Sequence, residues 1–196
     1  MATIRYAKAN KEIKRLVSQF RDSYDSMCES SRNEYMKTLS PGFEVPDKGM
    51  IYGEKNRNEF SSMCKGYRER SRKIIGDVIK AIQDTLTDGP STDAVNSVNL
   101  LNMRKNITME EVQELLDRYG DNPQIWTTIK SIATEHKLFI GEHPLYEQLA
   151  ECKSLDLTME KTLTLPNPKS YSLTKAYYAL LDMQIDKALP IEDGEK

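Results

Sequence analysis

The chain has 196 residues, of which 30% are charged and 38% hydrophobic, and it contains 9 Gly and 8 Pro. That composition favours an all-α fold over a turn-rich β architecture. No apolar run approaches the ~20 residues that a membrane span needs, and the first residues lack the hydrophobic core of a secretion signal. We therefore expect a cytoplasmic protein with no membrane partner.

The three cysteines agree with that location. Cys28, Cys64 and Cys152 lie far apart in the sequence and form no CxxC pair. Disulfide frameworks and zinc ribbons need an even number of cysteines or a closer spacing. We expect buried free thiols, because unpaired cysteine is among the most buried residue types.

Charge is divided unevenly between the two halves of the chain. Residues 1–88 contain 17 Lys and Arg against 13 Asp and Glu, a net charge of +4. Residues 89–196 contain 11 against 17, a net charge of −6. Opposite halves can attract each other within one chain or between chains, and neither charge is large enough to indicate nucleic-acid binding by itself.

The first predicted helix runs from about Tyr6 to Leu39. Its inward-facing positions alternate steps of four and three residues, which is the heptad spacing of coiled coils. These positions are Tyr6, Asn10, Ile13, Val17, Phe20, Tyr24, Met27 and Ser31. Proline disfavours helix at the residue before it, so this helix should end at Ser40-Pro41.

The second predicted helix runs from about Glu54 to Asp88, repeats the same spacing as far as Val78 and then continues in steps of four. Its inward-facing positions are Phe60, Cys64, Tyr67, Ser71, Ile74, Val78, Ile82 and Leu86. Two helices of similar length, joined by the loop at 41–53, predict a long antiparallel helical hairpin over residues 1–88. A bundle in which later helices fold back on this pair would have the same sequence pattern.

The segment Asp88-Gly89-Pro90-Ser91 is the clearest boundary signal in the chain. After it the predicted elements are shorter, beginning with a helix at 92–103. We expect a smaller module of short helices, packed with the hairpin, over residues 91–189. Residues 190–196 should form a flexible acidic tail.

Capping motifs place two helices inside this module. Thr108-Met109-Glu110-Glu111 has the T-x-x-E pattern of a capping box and predicts a helix that ends at Tyr119. Gly120 is expected to follow it as a left-handed C′ residue. Asn122-Pro123 predicts the N-cap and first turn of the next helix.

Three further elements are predicted towards the end of the chain. Pro144 should open a short helix that ends at Cys152. Residues 154–168 alternate weakly between apolar and polar side chains, which suggests an extended piece. The last helix should run from about Ser170 to Leu189.

The stretch LLDRYGDNPQIWTTI at 115–129 resembles a helix-turn-helix, but its charges are wrong for reading DNA. The leading helix carries Glu110, Glu111, Glu114 and Asp117 against Arg118 alone. Carboxylates beside a phosphate backbone oppose binding. The pattern therefore predicts an α-hairpin that packs on a core rather than a DNA reader.

A better nucleic-acid candidate is a basic face on the second long helix, formed by Arg68, Arg70, Arg72 and Lys73. The alternative interpretation is a solvated helix face with intrahelical ion pairs. No Arg-Gly or stacking pattern accompanies this run.

The sequence predicts no catalytic residue, no metal site and no cofactor. Its two histidines, His136 and His143, do not have the spacing of a paired-His metal site. Nothing links either histidine to Cys152 or to a particular serine as base and nucleophile. His143, which precedes Pro144, is expected to begin a helix.

The apolar stripes have two interpretations that the sequence leaves open. They can mediate self-association or partner docking, or they can fill the core of a single chain. The candidate self-association residues are Phe20, Tyr24, Met27, Phe60, Tyr67, Ile74 and Trp126. Exposed large apolar patches would favour the first interpretation.

Residues 100–138, LLNMRKNITMEEVQELLDRYGDNPQIWTTIKSIATEHKL, resemble a segment of uncharacterised helical proteins encoded in Gram-positive phage and prophage genomes. The shared features are a short helix that ends in Leu-Leu-Asn, a Thr-capped acidic helix, an aromatic-Gly-Asp-Asn turn and a helix that finishes in Glu-His-Lys-Leu. The resemblance implies a scaffold-like or head-associated role in virion head assembly. It carries over no catalytic residue, and it does not cover residues 139–196.

These patterns together predict a non-enzymatic assembly protein. Its expected partners are further copies of itself, in a homo-oligomer, and a capsid or other virion protein. Its expected location is the cytoplasm of a bacterial host cell or the virion. The alternative function is a nucleic-acid-binding accessory protein that uses the face at Arg68–Lys73.

Overall fold

A computed structural model describes residues 6–40, 42–43, 46–47, 50–163 and 174–191. Within these ranges the regular structure is α-helical, and the predicted all-α fold is confirmed. The helices, in chain order, are α1 (Tyr6–Met36), α2 (Glu54–Thr87), α3 (Thr92–Asn102), α4 (Met109–Tyr119), α5 (Pro123–Glu135), α6 (Pro144–Thr162) and α7 (Thr174–Ala188).

The predicted capping motifs are present at the helix starts. The Thr108 hydroxyl accepts from the Glu111 N–H, and the Glu111 carboxylate accepts from the Thr108 N–H, which completes the capping box of α4. The Asn122 side chain accepts from the first N–H groups of α5, with Pro123 in the first turn. Ser91 caps α3 in the same way, through the N–H of Ala94.

Two local expectations were wrong. Gly120 has a φ of −67°, so it ends α4 in the right-handed region rather than as a left-handed C′ residue. Helix α6 does not stop at Cys152 but continues to Thr162, so the described part of the expected extended piece, 154–162, is helical. Cys152, Leu155, Met159 and Thr162 are all buried, and that helical spacing of apolar contacts outweighs the weak alternation. Residues 164–168 lie outside the described residues.

Contacts group the chain into two compact units. We call Ile79–Glu151 the short-helix unit, and Arg5–Val78 with Cys152–Lys196 the long-helix unit. The C-terminal part of α6 and helix α7 therefore belong with α1 and most of α2. The predicted division into domains at 1–88 and 91–189 stays a prediction.

Aromatic side chains join α1 to α2 in the long-helix unit. The rings of Phe20 and Tyr67 lie edge to face with centroids 5.3 Å apart. The rings of Tyr24 and Phe60 follow at 5.5 Å, so residue numbers rise along α1 as they fall along α2. Such aromatic pairs add about 0.5–1.5 kcal/mol to the stability gained from burial alone.

Polar contacts join α1 to α7. The Asn10 side-chain N–H group donates to the Asp186 carboxylate and to the Leu189 carbonyl oxygen, both at 2.8 Å. Lys14 forms an ion pair with Asp186 at 2.7 Å. Asn10 is only 1% exposed, so its amide needs these partners, and they determine how the end of α7 lies against α1.

The short-helix unit has its own core, built from α3, α4, α5 and the segment that follows α5. The buried residues of this core are Ala94, Val98, Leu101, Val112, Leu116, Ile125, Ile129, Ile132, Ala133 and Ile140. The spacing of Leu116 from Val112, and of Ile129 from Ile125, is one helical turn. The 115–129 stretch therefore packs as the α-hairpin that its charges predicted.

The structure tests two further expectations, one about the cysteines and one about membrane-spanning helices. Cys28, Cys64 and Cys152 are free and buried, as predicted. Among the described residues, no helix combines the length and the apolar character needed to cross a lipid bilayer.

Replacing Phe20 with alanine tests the core of the long-helix unit. Phe20 is 0% exposed, so Phe20→Ala should lower the free energy of unfolding by about 3–5 kcal/mol. Gln19→Ala, at the exposed neighbouring position, should change it by less than about 0.5 kcal/mol. Urea unfolding followed by circular dichroism measures both. A Phe20→Ala variant as stable as Gln19→Ala would contradict this packing.

Candidate functional site

The candidate self-association residues do not form one exposed surface. Phe20, Tyr24, Phe60 and Tyr67 are at most 7% exposed, covered by the long-helix unit itself. The other long-helix positions of that set, Met27 and Ile74, are half-buried. Packing within one chain therefore accounts for these stripes, and a role for them in self-association stays a prediction.

Trp126, the remaining member of that set, lies in the short-helix unit. Its ring packs edge to face against His143, with centroids 5.3 Å apart. Its indole N–H donates to the Gly141 carbonyl oxygen at 3.0 Å. Trp126 thus holds the segment before α6 against α5, a structural role that the sequence did not indicate.

His143 begins helix α6, as predicted. Its Nδ1 accepts from the Leu145 N–H at 3.2 Å, which is the hydrogen bond of an N-cap residue. Since Nδ1 accepts, we assign the ring proton to Nε2, which donates to the Gly120 carbonyl oxygen at 3.0 Å. Burial lowers the pKa of His143, although the Gly120 contact and the nearby Asp121 oppose that shift.

The other residues considered for chemistry also have structural partners. His136 is the C-cap of α5, and its backbone N–H donates to carbonyl oxygens in the last turn of that helix. The Cys152 thiol, in the long-helix unit, is 0% exposed and donates to the Ala188 carbonyl oxygen. In the described ranges, no three His, Cys, Asp or Glu side chains gather as a metal site would require.

The candidate nucleic-acid face is partly occupied by contacts within the chain. Arg70 lies over the Tyr67 ring at 4.3 Å. Arg72 pairs with Glu160 of α6 at 3.4 Å. Burial raises the pKa of Asp156, Arg72 opposes that rise, and Glu160 adds to it. Lys73 is exposed and Arg68 is half-buried.

A groove between α3 and α4 is a surface that the sequence analysis missed. Its cavity volume is about 290 Å³, and it is lined by Ser97, Leu100, Leu101, Arg104, Glu111, Glu114 and Leu115. Arg104 and Glu111 form an ion pair across one end. Leu100 lies off the buried face of α3, Met103 follows the helix as its C-cap, and the offset of Leu100 from Ala94, Val98 and Leu101 was visible in the sequence.

A second set of exposed apolar side chains lies in the long-helix unit, and we call Leu157, Leu180 and Met183 the α6/α7 patch. Leu180 and Met183 are 64% and 67% exposed, and they are three residues apart on one face of α7. Leu157 of α6 is 59% exposed. The Gln184 side chain donates to the hydroxyls of Ser154 and Thr158, so this side of α6 lies beside this side of α7.

No protein-family model, curated protein or solved structure matches this chain. Function therefore has to be argued from the chemistry of these surfaces. The buried histidine and thiol have structural roles, whereas the α3/α4 groove and the α6/α7 patch present apolar side chains to solvent.

The cap formed by His143 predicts pH-dependent stability. The lowered folded-state pKa means that the stability contributed by the neutral ring is complete above about pH 6.5, the ordinary value. It is lost as the pH falls through that value towards the lowered pKa. His143→Asn keeps a capping oxygen but cannot titrate, so its stability should depend less on pH between about 7.5 and 5.5.

Urea midpoints at several pH values measure this dependence. His136→Asn is the matched control, because it removes the other histidine and leaves the cap intact. If His143→Asn and the unaltered chain lost stability in parallel over this range, His143 would not be the titrating group.

Gly120 predicts a second stability effect. A Cβ atom there would overlap the Leu116 carbonyl oxygen and lie 3.2 Å from the Trp126 ring. Gly120→Ala should therefore lower the free energy of unfolding by about 1–3 kcal/mol. Gly76→Ala is the control, because a Cβ within α2 meets nothing within 4 Å, and it should stabilise the chain by about 0.5–1 kcal/mol. Equal effects at both positions would contradict the close approach at Gly120.

Proposed function

We propose that this chain is a non-enzymatic assembly protein that acts through contacts with other proteins, including copies of itself. The supporting observation is that large apolar side chains remain exposed after two cores have formed. Leu100 and Met103 are 65% and 81% exposed, and Leu180 and Met183 are similarly open. Large contiguous apolar patches mark interaction surfaces, whereas single exposed apolar residues are normal on any protein.

The proposed setting is virion head assembly in a phage or prophage. It rests on the resemblance of residues 100–138 to phage-encoded helical proteins. That segment includes α4, α5 and the end of α3, and it supplies most of the buried core of the short-helix unit. Residues 100–138 therefore pack around one core, as a structural module does.

Nucleic-acid binding through Arg68–Lys73 is the alternative, and the contacts within the chain count against it. Phosphate binding needs basic side chains that are free to exchange counterions. Glu160 pairs with Arg72, and Arg70 lies over the Tyr67 ring, so two of these four side chains already have contacts within the chain. The favoured partner is therefore a protein.

Solution mass measured by light scattering after size exclusion tests the proposed function. We expect an oligomer that survives high salt, because apolar contacts are not screened by ions. Leu180→Lys with Met183→Lys should shift the mass towards that of a single chain. Ser18→Lys with Gln19→Lys adds the same charge at exposed polar positions of α1 and should leave the mass unchanged.

Co-expression with the head proteins of the same phage or prophage genome tests the setting. The proposal expects co-purification or an altered yield of assembled particles. A chain that stays monomeric at high concentration and forms no complex with any head protein would overturn it.

A further inference from the structure

We propose that the α3/α4 groove binds a basic amphipathic segment of a partner protein, with an apolar side chain of that segment seated between Leu100 and Leu115. This inference rests on the proposed function, since it names the surface and the partner chemistry through which assembly contacts would form. The size of the groove, the charge on its rim and the exposed side chains of Leu100 and Met103 beside it all favour this occupant.

The size of the groove suits a side chain better than a free small molecule. Its volume of about 290 Å³ lies at the lower limit of the ~300–1,000 Å³ pockets that enclose drug-sized ligands. Leu101 is buried beneath it, and Leu115 is half-buried in its wall. One apolar anchor from a docked helix fits such a cavity.

The rim charge selects a basic partner. Glu111 and Glu114 line the groove, and Glu110 and Asp117 add carboxylates on the exposed part of α4. Arg104 is paired with Glu111, and Arg118 is paired with Glu114 at 3.0 Å. Four carboxylates against these two guanidinium groups leave an excess of negative charge, which complements lysine or arginine and repels phosphate.

Leu100 and Met103 extend the apolar surface beside the groove. Leu100 lies in the last turn of α3 and Met103 is the residue that caps its C-terminus, so the two side chains lie three residues apart at the end of this helix. An apolar strip bordered by charge is the surface that an amphipathic helix recognises.

The two walls of the groove are already held in place. The Thr108 capping box fixes the start of α4, and Ser91 caps α3. The hydroxyl of Ser97, which lines the groove, lies 3.3 Å from the Tyr119 hydroxyl and connects the two helices. A preformed groove costs little ordering entropy on binding.

The experiment uses the full chain and two fluorescein-labelled helical peptides of about four turns. Both peptides carry leucines on one face, and the opposite face carries lysines in one and glutamates in the other. Fluorescence anisotropy gives the dissociation constants at low and high salt. The lysine peptide should bind at least about tenfold more tightly than the glutamate peptide.

Variants of the groove locate the contact. Leu100→Lys removes the anchor contact and adds a repelling charge, so lysine-peptide binding should weaken at least about tenfold. Glu114→Lys should weaken it several-fold, mainly at low salt, because rim charges act through screened attraction. Circular dichroism verifies that each variant is folded.

Matched controls separate the groove from general stickiness. Leu180→Lys makes the same change at a position of nearly equal exposure in the other unit, 64% against 65%. Glu29→Lys reverses an exposed charge on α1. Both should bind the lysine peptide within about twofold of the unaltered chain.

Three results would overturn the proposal. Equal binding of the two peptides would show that the charge of the groove does not select the partner. An equal loss of binding in Leu180→Lys would show that the peptide does not bind in the groove. A dimer that Leu100→Lys dissociates, and with which the lysine peptide does not compete, would mean that a second copy occupies the groove.

The proposed function and this inference can fail separately. Light scattering on the unaltered chain uses no peptide, so an oligomer with no peptide binding would leave assembly intact and reject the groove. A monomer that binds the lysine peptide through Leu100 would support the groove and reject self-assembly.

Discussion

Helix α1 must bury a face that is too wide for a single partner helix, and this constraint organises the long-helix unit. Besides its heptad positions it buries Ala9, Leu16 and Cys28, whereas a two-helix pair covers mainly the a and d residues. Helix α2 supplies the aromatic partners, α7 supplies Asp186, and the residue after α7 supplies the Leu189 carbonyl. The buried side-chain NH2 group of Asn10 needs those acceptors, so these two hydrogen bonds specify where the end of α7 lies against α1.

Because the two long stripes pack within the chain, the side chains that the cores leave exposed are the ones available to bind a partner. The α6/α7 patch and the α3/α4 groove differ in chemistry, since only the groove has a carboxylate rim. A mainly apolar patch suits contact between identical chains, and a charged groove suits discrimination between partners. The proposed assembly role would use both kinds of contact.

Local signals predicted much of this fold, and long-range contacts account for most of what they missed. The T-x-x-E box and Asn122-Pro123 define helix starts because each satisfies its own backbone N–H groups within one turn. Gly120 was mispredicted because its need for glycine comes from Leu116 and the Trp126 ring rather than from a left-handed φ. No spacing rule connects Asn10 to Asp186, and the groove depends on how α3 and α4 pair.

The most direct test of the account is the reactivity of the three native thiols with an aromatic disulfide reagent, followed over protein concentration. Cys28, Cys64 and Cys152 are buried in the long-helix unit, and burial raises the pKa of Cys64 to about 11. A core completed within one chain predicts slow reaction at every concentration, including dilutions at which light scattering shows a monomer. Thiols that become reactive when the chain is diluted to a monomer would show that a second chain completes this core.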